Sequence, residues 1–192
     1  MQTWLPGSDA SSLTTASDGL AHDLARFIGA VRRLDTRGRT FSGEGRGGAL
    51  TVHDAWVEEC CERSVGLVDV RRVRSLWRQL RSLPRSSPDV MTHGDLVPGN
   101  LLVAGGRLTG VVDVGGLAAA DPSLDLVVAW HLLDAGPRQV LRADLGCSDL
   151  ELQRGTAWAR QQAMGLVWYY RDSNPLMART GRRTVARLLA DG

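Results

Sequence analysis

The sequence predicts a mostly α-helical domain of the α+β class with a small embedded β-hairpin. Apolar residues recur at three- and four-residue spacing along 18–34 and again along 69–83, which is the pattern of amphipathic helices packed on a core. Farther along, two short apolar runs are joined by Gly105-Gly106, a turn typical of hairpins. Because no internal repeat accompanies these elements, the 192 residues are expected to form one domain of ordinary size.

The first half of the chain alternates polar loops with helices. Residues 1–17 are predicted to be an extended start followed by a Ser/Thr-rich loop, and 18–192 are predicted to be the folded lobe. Asp18 is a suitable cap for the first helix, and Thr51 or Asp54 can open the second. The remaining predicted elements of this half are a Gly/Arg-rich loop over 35–48 and a third helix over Asp69–Leu83.

The second half begins with the hairpin and becomes helical after it. Its strands are predicted over Asn100–Ala104 and Leu108–Val114, since both runs are short and apolar. Asp121-Pro122 then provides a capping residue followed by proline at the first helical position. The helices predicted beyond this point are Pro122–Asp134, Asp149–Tyr170 and Pro175–Ala190.

Composition argues against several classes of function. A net charge of +2 gives little attraction to nucleic acid or to an anionic membrane. Three cysteines, without a CxxC or Cys/His cluster, predict free thiols in a reducing cytoplasm rather than disulfides or a metal cage. The apolar run Leu124–Leu133 is too short to span a bilayer, and residues 1–19 lack the pattern of a signal peptide. We therefore expect a cytoplasmic protein.

All 23 basic residues are arginine, so no step that requires a lysine can use this chain. Five of the arginines line one face of the predicted third helix. A nucleic-acid interface is one interpretation of that stripe, but a solvated helix face is the ordinary one. These arginines are Arg71, Arg74, Arg78, Arg81 and Arg85.

Three polar side chains surround the predicted hairpin in a pattern that suits phosphoryl transfer. Asp95 and Asn100 lie on the Gly/Pro-containing loop before the first strand, and Asp113 lies at the end of the second. Hairpin geometry can bring Asn100 and Asp113 to the same end of the sheet, where two oxygen ligands suit Mg²⁺. Asp95 would then orient an attacking hydroxyl and accept its proton. Taken singly, each residue is also an ordinary turn or cap residue.

The segment His93–Asn100 resembles the HGDxxxxN catalytic loop of aminoglycoside phosphotransferases and related small-molecule kinases. Those enzymes share the protein-kinase-like fold and transfer the γ-phosphoryl group of ATP to a hydroxyl. The resemblance implies Asp95 as catalytic base, and Asn100 and Asp113 as Mg²⁺ and nucleotide ligands. It also implies supporting roles for His93, which would brace the loop, and for Asp125, which would tie the following helix to it.

The sequence departs from that family in two respects. The aromatic residue of the family's Asp-Phe-Gly or Asp-Trp-Gly motif is replaced by Val114, which affects packing more than chemistry. Trp4–Gly7 resembles the segment linking the two lobes of a kinase, so the chain is expected to be the carboxy-terminal lobe, without the amino-terminal β-lobe and its phosphate-binding lysine. A gene-start error, a remnant or a lobe supplied by a partner would each account for this. Weak ATP affinity and little turnover are expected of the chain alone, together with a dimer or a missing-lobe partner.

The resemblance implies as acceptor a small-molecule hydroxyl, such as that of an aminoglycoside or related antibiotic. The alternative is a catalytically inactive kinase-like protein that binds a small molecule or depends on a partner. Acidic side chains could hold a cationic acceptor and aromatic ones could form a wall, although surface and core positions are the ordinary interpretations. The acidic candidates are Glu58, Glu59, Glu62 and Asp172, and the aromatic ones are Trp158, Trp168, Tyr169 and Tyr170.

Overall fold

Helices dominate the computed structural model, which describes residues 5–85 and 87–190. This confirms the predicted, mostly helical fold class. Short 3-10 segments connect several of the helices, and one of them, Pro122–Val127, is wholly buried. The α-helices are α1 (Asp18–Arg32), α2 (Asp54–Arg63), α3 (Val70–Leu80), α4 (Val128–His131), α5 (Ala135–Leu145), α6 (Asp149–Tyr169) and α7 (Pro175–Ala190).

Two small antiparallel sheets are embedded among the helices. One has the strand order β1-β3-β4 and contains the predicted hairpin, in which Leu101 lies opposite Val111. The other pairs β2 with β5, so that Met91 lies opposite Ala119. The sheets therefore extend beyond the hairpin that the sequence predicts. The strands are β1 (Ser8–Asp9), β2 (Val90–Thr92), β3 (Leu101–Ala104), β4 (Arg107–Val111) and β5 (Ala118–Ala120).

Three local predictions need correction. The cap of α1 is Ser17 rather than Asp18, because the Ser17 hydroxyl accepts a hydrogen bond from the Leu20 amide at 3.1 Å. The segment predicted as one helix over 122–134 is instead a buried 3-10 helix followed by the single turn α4. Helix α5 was not predicted, because Gly136 and Pro137 in its first turn are residues that usually indicate a turn or loop. Trp4, the first residue of the linker-like segment, lies outside the described residues.

Helix α6 is the centre of the core and is buried along most of its length. Its apolar side chains, among them the fully buried Trp158, contact α2, α3, α7 and the 3-10 helix Pro122–Val127. Gly181 lets α7 approach α6 closely, because a Cβ there would lie 2.9 Å from the Ala163 carbonyl oxygen. Within the described residues, no helix combines the length and apolar character needed to cross a bilayer.

A buried ion pair joins α6 to the rest of the core. Arg154 and Asp121 are each 1% exposed, and the Arg154 Nε donates to Asp121 Oδ2 at 2.8 Å while Nη2 donates to the same oxygen. Asp121 also accepts from the Ser123 amide at 3.0 Å, which makes it the cap of the 3-10 helix. Burial raises the pKa of Asp121, but the Ser123 and Arg154 donors outweigh it, so the pKa lies below its ordinary value.

The same guanidinium satisfies carbonyl groups from two other segments. Arg154 donates to the Leu83 carbonyl at 2.6 Å and the Pro84 carbonyl at 3.3 Å, just after α3, and to the Gly48 carbonyl at 3.2 Å. One side chain thereby fixes the loop before α2, the end of α3 and the start of the 3-10 helix against α6. A buried charge with this many partners is costly to disturb, because any partner left behind is buried without compensation.

We predict that Arg154→Met destabilises the fold strongly. Removing the guanidinium leaves the Asp121 carboxylate buried without its cation, a change that typically costs about 3–5 kcal/mol in unfolding free energy. Urea denaturation of the variant measures this cost. The matched control is Arg142→Met, which breaks the more exposed pair with Asp149 and is expected to change stability by less than about 1 kcal/mol. Equal losses in the two variants would contradict the importance of the buried pair.

Candidate active site

Asp125 anchors the loop 93–100, which carries the predicted catalytic residues, from the buried side of that loop. Its fully buried carboxylate accepts hydrogen bonds from the His93 and Gly94 amides, both at 2.8 Å. Burial raises the pKa of Asp125, and the two amide donors oppose that rise. Gly94 has a φ of +80°, a backbone conformation that glycine adopts without strain, and it turns the chain so that both amides face the carboxylate. The structure therefore places Asp125 beneath the loop.

His93 connects this loop to the end of β4. Its ring Nε2 lies 3.1 Å from the Val112 carbonyl oxygen, and its Nδ1 lies 3.3 Å from the Asp95 amide nitrogen. Since a carbonyl oxygen only accepts and an amide N–H only donates, the proton of a neutral His93 ring must be on Nε2. The imidazole thus sets the distance between the loop and the residue just before Asp113.

Asp95 lies at the focus of three side-chain donors. Its Oδ1 accepts from Arg46 Nη2 at 2.9 Å and from Gln162 Nε2 at 2.6 Å. Its Oδ2 accepts from Asn100 Nδ2 at 3.2 Å. The Asp95 side chain nevertheless remains 42% exposed, so a ligand can reach it. A carboxylate that is held by three donors and is still partly exposed is suited to orienting a hydroxyl group.

Asn100 and Asp113 lie at the same end of the hairpin. The Val112 amide donates to the Asn100 carbonyl at 2.9 Å, which continues the pairing of β3 and β4 and places Asp113 directly beyond it. Asn100 Nδ2 also donates to the Asp95 carbonyl at 2.9 Å, and its Oδ1 takes no part in these bonds. Asp113 is exposed and has a φ of +59°, a left-handed conformation that aspartate tolerates better than most residues.

The donor set fits a magnesium ion better than a transition metal. The Asn100 Oδ1 and the Asp113 carboxylate are hard oxygen ligands, and Mg²⁺ commonly takes one or two protein oxygens and completes its shell with phosphate and water. Within residues 5–85 and 87–190, no three His, Cys, Asp or Glu side chains converge in a way that could hold a metal. Two side-chain oxygens would leave the remaining positions around a magnesium ion to phosphate and water.

Two cavities meet at Asp95 and Arg46. The larger, about 690 Å³ in volume, is lined mainly by aromatic and aliphatic side chains from α2, α6 and α7. The smaller, about 480 Å³, lies between the loop 39–46, the catalytic loop and β5. The side chains that shape the larger cavity besides Asp95 and Arg46 include Trp56, Gln162, Leu166, Tyr169, Tyr170 and Met177.

His53 adds a neutral polar group to the larger cavity. Its pKa is lowered, first by burial and then by the nearby Arg46 guanidinium, so the ring is uncharged at neutral pH. The ring packs edge-on against Trp158, with the ring centres 5.3 Å apart. The cavity therefore combines an apolar wall with hydrogen-bonding groups and with the single ion pair between Arg46 and Asp95.

The acidic residues suggested for acceptor binding do not line this cavity. Glu58 is paired with Arg74 at 2.5 Å and Glu59 with Arg63 at 3.0 Å, both on the outer surface of α2. The other acidic candidates, Glu62 and Asp172, are likewise absent from the described cavity lining.

Of the aromatic candidates, Tyr169 and Tyr170 line the larger cavity, whereas Trp158 is a core residue that donates to Asp121 at 3.2 Å. Trp168 packs against Trp56, with ring centres 6.2 Å apart, rather than facing the cavity itself. The ordinary interpretation as core therefore applies to Trp158 and Trp168.

Two residues of the site were missed by sequence reasoning. Arg46 comes from a Gly/Arg-rich loop without periodicity, and it contacts Asp95 across 49 positions of sequence. Gln162 is a buried amide on α6, next to the buried Gln161, and lies 67 positions from Asp95. For Gln162 a signal was available, since a glutamine pair in the middle of a core helix must find hydrogen-bond partners. Arg46 gives no such signal.

Comparison with known proteins places this site in a family. The profile of the phosphotransferase enzyme family (APH) matches residues 1–162. An aminoglycoside 3'-phosphotransferase of Streptomyces fradiae is 40% identical over a match covering 45% of this chain and 42% of that protein. One from Escherichia coli is also 40% identical, over 32% of this chain and 23% of its own length. These matched segments thus span less than half of the curated relatives.

A solved structure agrees with the sequence comparison at the level of the fold. The GDP complex of wild-type aminoglycoside 2'-phosphotransferase-IIIa superimposes with a TM-score of 0.65 at 21% sequence identity, and the match covers 99% of this chain and 68% of that one. The family profile spans most of the chain and includes every residue of the catalytic loop and of the hairpin. The chain belongs to the phosphotransferase enzyme family.

Proposed function

We propose that this chain carries the phosphoryl-transfer site of an ATP-dependent kinase that acts on a hydroxyl of a small molecule, such as an aminoglycoside or related antibiotic. The observation that carries the proposal is the arrangement of Asp95. Its carboxylate is fixed by Arg46, Gln162 and Asn100, remains accessible, and faces a cavity of about 690 Å³. That volume is in the range of sites for drug-sized molecules.

In this proposal Asp95 is the catalytic base. The acceptor hydroxyl binds against its carboxylate, and the hydroxyl oxygen forms a bond to the γ-phosphorus of ATP while the bond from that phosphorus to the bridging oxygen of ADP breaks. The hydroxyl proton passes to Asp95. Since proton acceptance by a positioned side chain contributes about 10²–10⁴-fold to a rate, the three donors that fix the carboxylate contribute by keeping it in place.

Asn100 and Asp113 would hold Mg²⁺ at the end of the hairpin. The Asn100 amide nitrogen donates to Asp95, which leaves Oδ1 for the cation, and the exposed Asp113 directly follows Val112, whose amide pairs with the Asn100 carbonyl. When bound, Mg²⁺ neutralises the charge of the phosphates. Asp125 and His93 support the loop from the inside, through the bonds to the loop amides and to the Val112 carbonyl.

The catalytically inactive alternative is favoured by one feature of the sequence. No lysine exists in the chain to pair with the nucleotide phosphates, and arginine does not reproduce a compact ammonium charge. Under this alternative the same site binds ligand without turnover. Separate measurements of nucleotide binding and of transfer therefore distinguish the two functions.

We predict that Mg²⁺-dependent ATP binding is lost in Asp113→Ala. The carboxylate is one of the two side chains that would hold the ion, and the ion would supply the positive charge that offsets the ATP phosphates. Isothermal calorimetry of the 192-residue chain, with and without Mg²⁺, measures this. Asp144→Ala is the matched control, since that aspartate pairs with His22 on the surface of α5. Binding that is the same in both variants would contradict the assigned metal site.

We predict that Asp95→Asn lowers phosphotransfer by roughly a hundredfold or more while ATP binding persists, because asparagine keeps the shape of the side chain but does not accept the proton. Transfer of labelled γ-phosphate to a panel of hydroxyl compounds measures the rate. Equal transfer by parent and variant would exclude Asp95 as the base. ATP binding without any transfer in the parent would favour the inactive alternative.

A further inference from the structure

A chain of buried hydrogen bonds leads away from Asp95 into the core. Gln162 on α6 donates through Nε2 to Asp95 Oδ1 at 2.6 Å. The Gln162 Oε1 lies 3.0 Å from Nε2 of His131 on α4, and the His131 Nδ1 lies 2.9 Å from the hydroxyl of Thr184 on α7. His131 is 3% exposed and Thr184 is fully buried, so the chain runs from the cavity at Asp95 into the buried contact between α4, α6 and α7.

The chemistry of the groups fixes the direction of the hydrogen bonds from Asp95 through Gln162 to His131. An ionised carboxylate only accepts, so the Gln162 amide nitrogen must face Asp95 and its oxygen must face His131. His131 must then carry its proton on Nε2 in order to donate to that oxygen. Its unprotonated Nδ1 then faces the Thr184 hydroxyl, whose one proton is shared between this nitrogen and the Thr180 carbonyl oxygen, each at 2.9 Å.

The burial of His131 supports this assignment. Its pKa is lowered to about 4, first by burial, so the ring is neutral at physiological pH. The charged groups that act on it are Arg46 and Arg187, which oppose protonation, and Asp95, which favours it. A neutral ring has one donor and one acceptor, and the two contacts with Gln162 and Thr184 use both.

We propose that Gln162 and His131 are positioning residues that hold the Asp95 carboxylate in the orientation needed for phosphoryl transfer, and this rests on the proposed function of Asp95. His131 prevents the Gln162 amide from flipping, because a flipped amide would place its oxygen against the carboxylate and its nitrogen against the Nε2 proton. Gln162 and Arg46 both donate to Oδ1, whereas Oδ2 accepts from Asn100 alone, so that Oδ2 is the oxygen with a lone pair left for the acceptor hydroxyl.

A purely structural role for these residues makes a different prediction. Buried polar groups rigidify a core only when all of them are satisfied, and apolar residues of similar size often stabilise as well. If Gln162 and His131 served stability alone, replacing them would lower the melting temperature without a specific effect on transfer.

The first test does not depend on enzymatic activity. In protein labelled with ¹⁵N at histidine, the His131 ring is expected as the neutral tautomer protonated on Nε2, unchanged down to about pH 5. In Asp95→Ala, which alters a partly exposed residue, the Gln162 side-chain amide resonance is expected to shift. A proton on His131 Nδ1, or a Gln162 resonance indifferent to Asp95→Ala, would overturn the proposal.

The second test separates positioning from stability. Gln162→Leu and His131→Phe are expected to lower kcat by roughly ten- to hundredfold with KM nearly unchanged. Thr180→Val is the matched control, since it removes a buried hydroxyl on α7 that donates to the Leu176 carbonyl outside the chain of bonds. If the two variants lose no more kcat than Thr180→Val, the proposal is wrong. A parent protein without any transfer, but with the expected resonances, would refute the proposed function and not the hydrogen-bond chain.

Discussion

The buried pair of Arg154 and Asp121 is the interaction on which the rest of the structure depends. Its guanidinium lies where four segments meet, and it satisfies the Asp121 carboxylate together with carbonyl groups of Gly48, Leu83 and Pro84. An arginine presents five donors in a rigid plane, so a single side chain can order several loops at once. Since both sheets in the described residues are small, this side chain joins segments that no extended sheet connects.

The active-site geometry follows from that junction. The Asp121 amide donates to the Gly47 carbonyl at 3.0 Å, which fixes the loop immediately after Arg46 and so directs that guanidinium to Asp95. Two turns of α6 beyond Arg154, the same helix presents Gln162 to the other side of Asp95. Asp125, four residues after Asp121, accepts hydrogen bonds from the His93 and Gly94 amides of the loop 93–100. The groups that surround the carboxylate therefore share one rigid support.

How much of this the sequence predicts depends on the range of each interaction. The hairpin follows from adjacent apolar runs and a two-glycine turn, and the grouping of Asp95, Asn100 and Asp113 follows from that hairpin. The pairing of β2 with β5 joins short strands 26 or more positions apart, and an all-alanine strand has little propensity of its own. All residues of the 3-10 helix Pro122–Val127 are buried. Tertiary packing therefore decides its conformation, and intrinsic helix propensity does not report that packing.

The hydrogen bonds from Arg46 and Gln162 to Asp95 join distant parts of the chain, and the sequence does not show which residues they join. Arg46 and Gln162 reach Asp95 only because the junction at Arg154 brings their segments together, and no spacing in the sequence reports this. The acidic residues of α2 were candidates for binding a cationic acceptor because of their charge, but Glu58 and Glu59 are paired with arginines at the surface. In a chain whose basic residues are all arginine, such surface pairs are the ordinary state of a carboxylate.

We propose above all that Asn100 and Asp113 hold a divalent metal near Asp95 at the end of the hairpin. Paramagnetic Mn²⁺, added with ATP to ¹⁵N-labelled protein, tests it most directly, because the ion broadens the amide resonances nearest to it. We expect the amide resonances of Asn100 and Asp113 to broaden first and those of α5 to remain sharp. Broadening centred elsewhere, or identical with and without ATP, would contradict it.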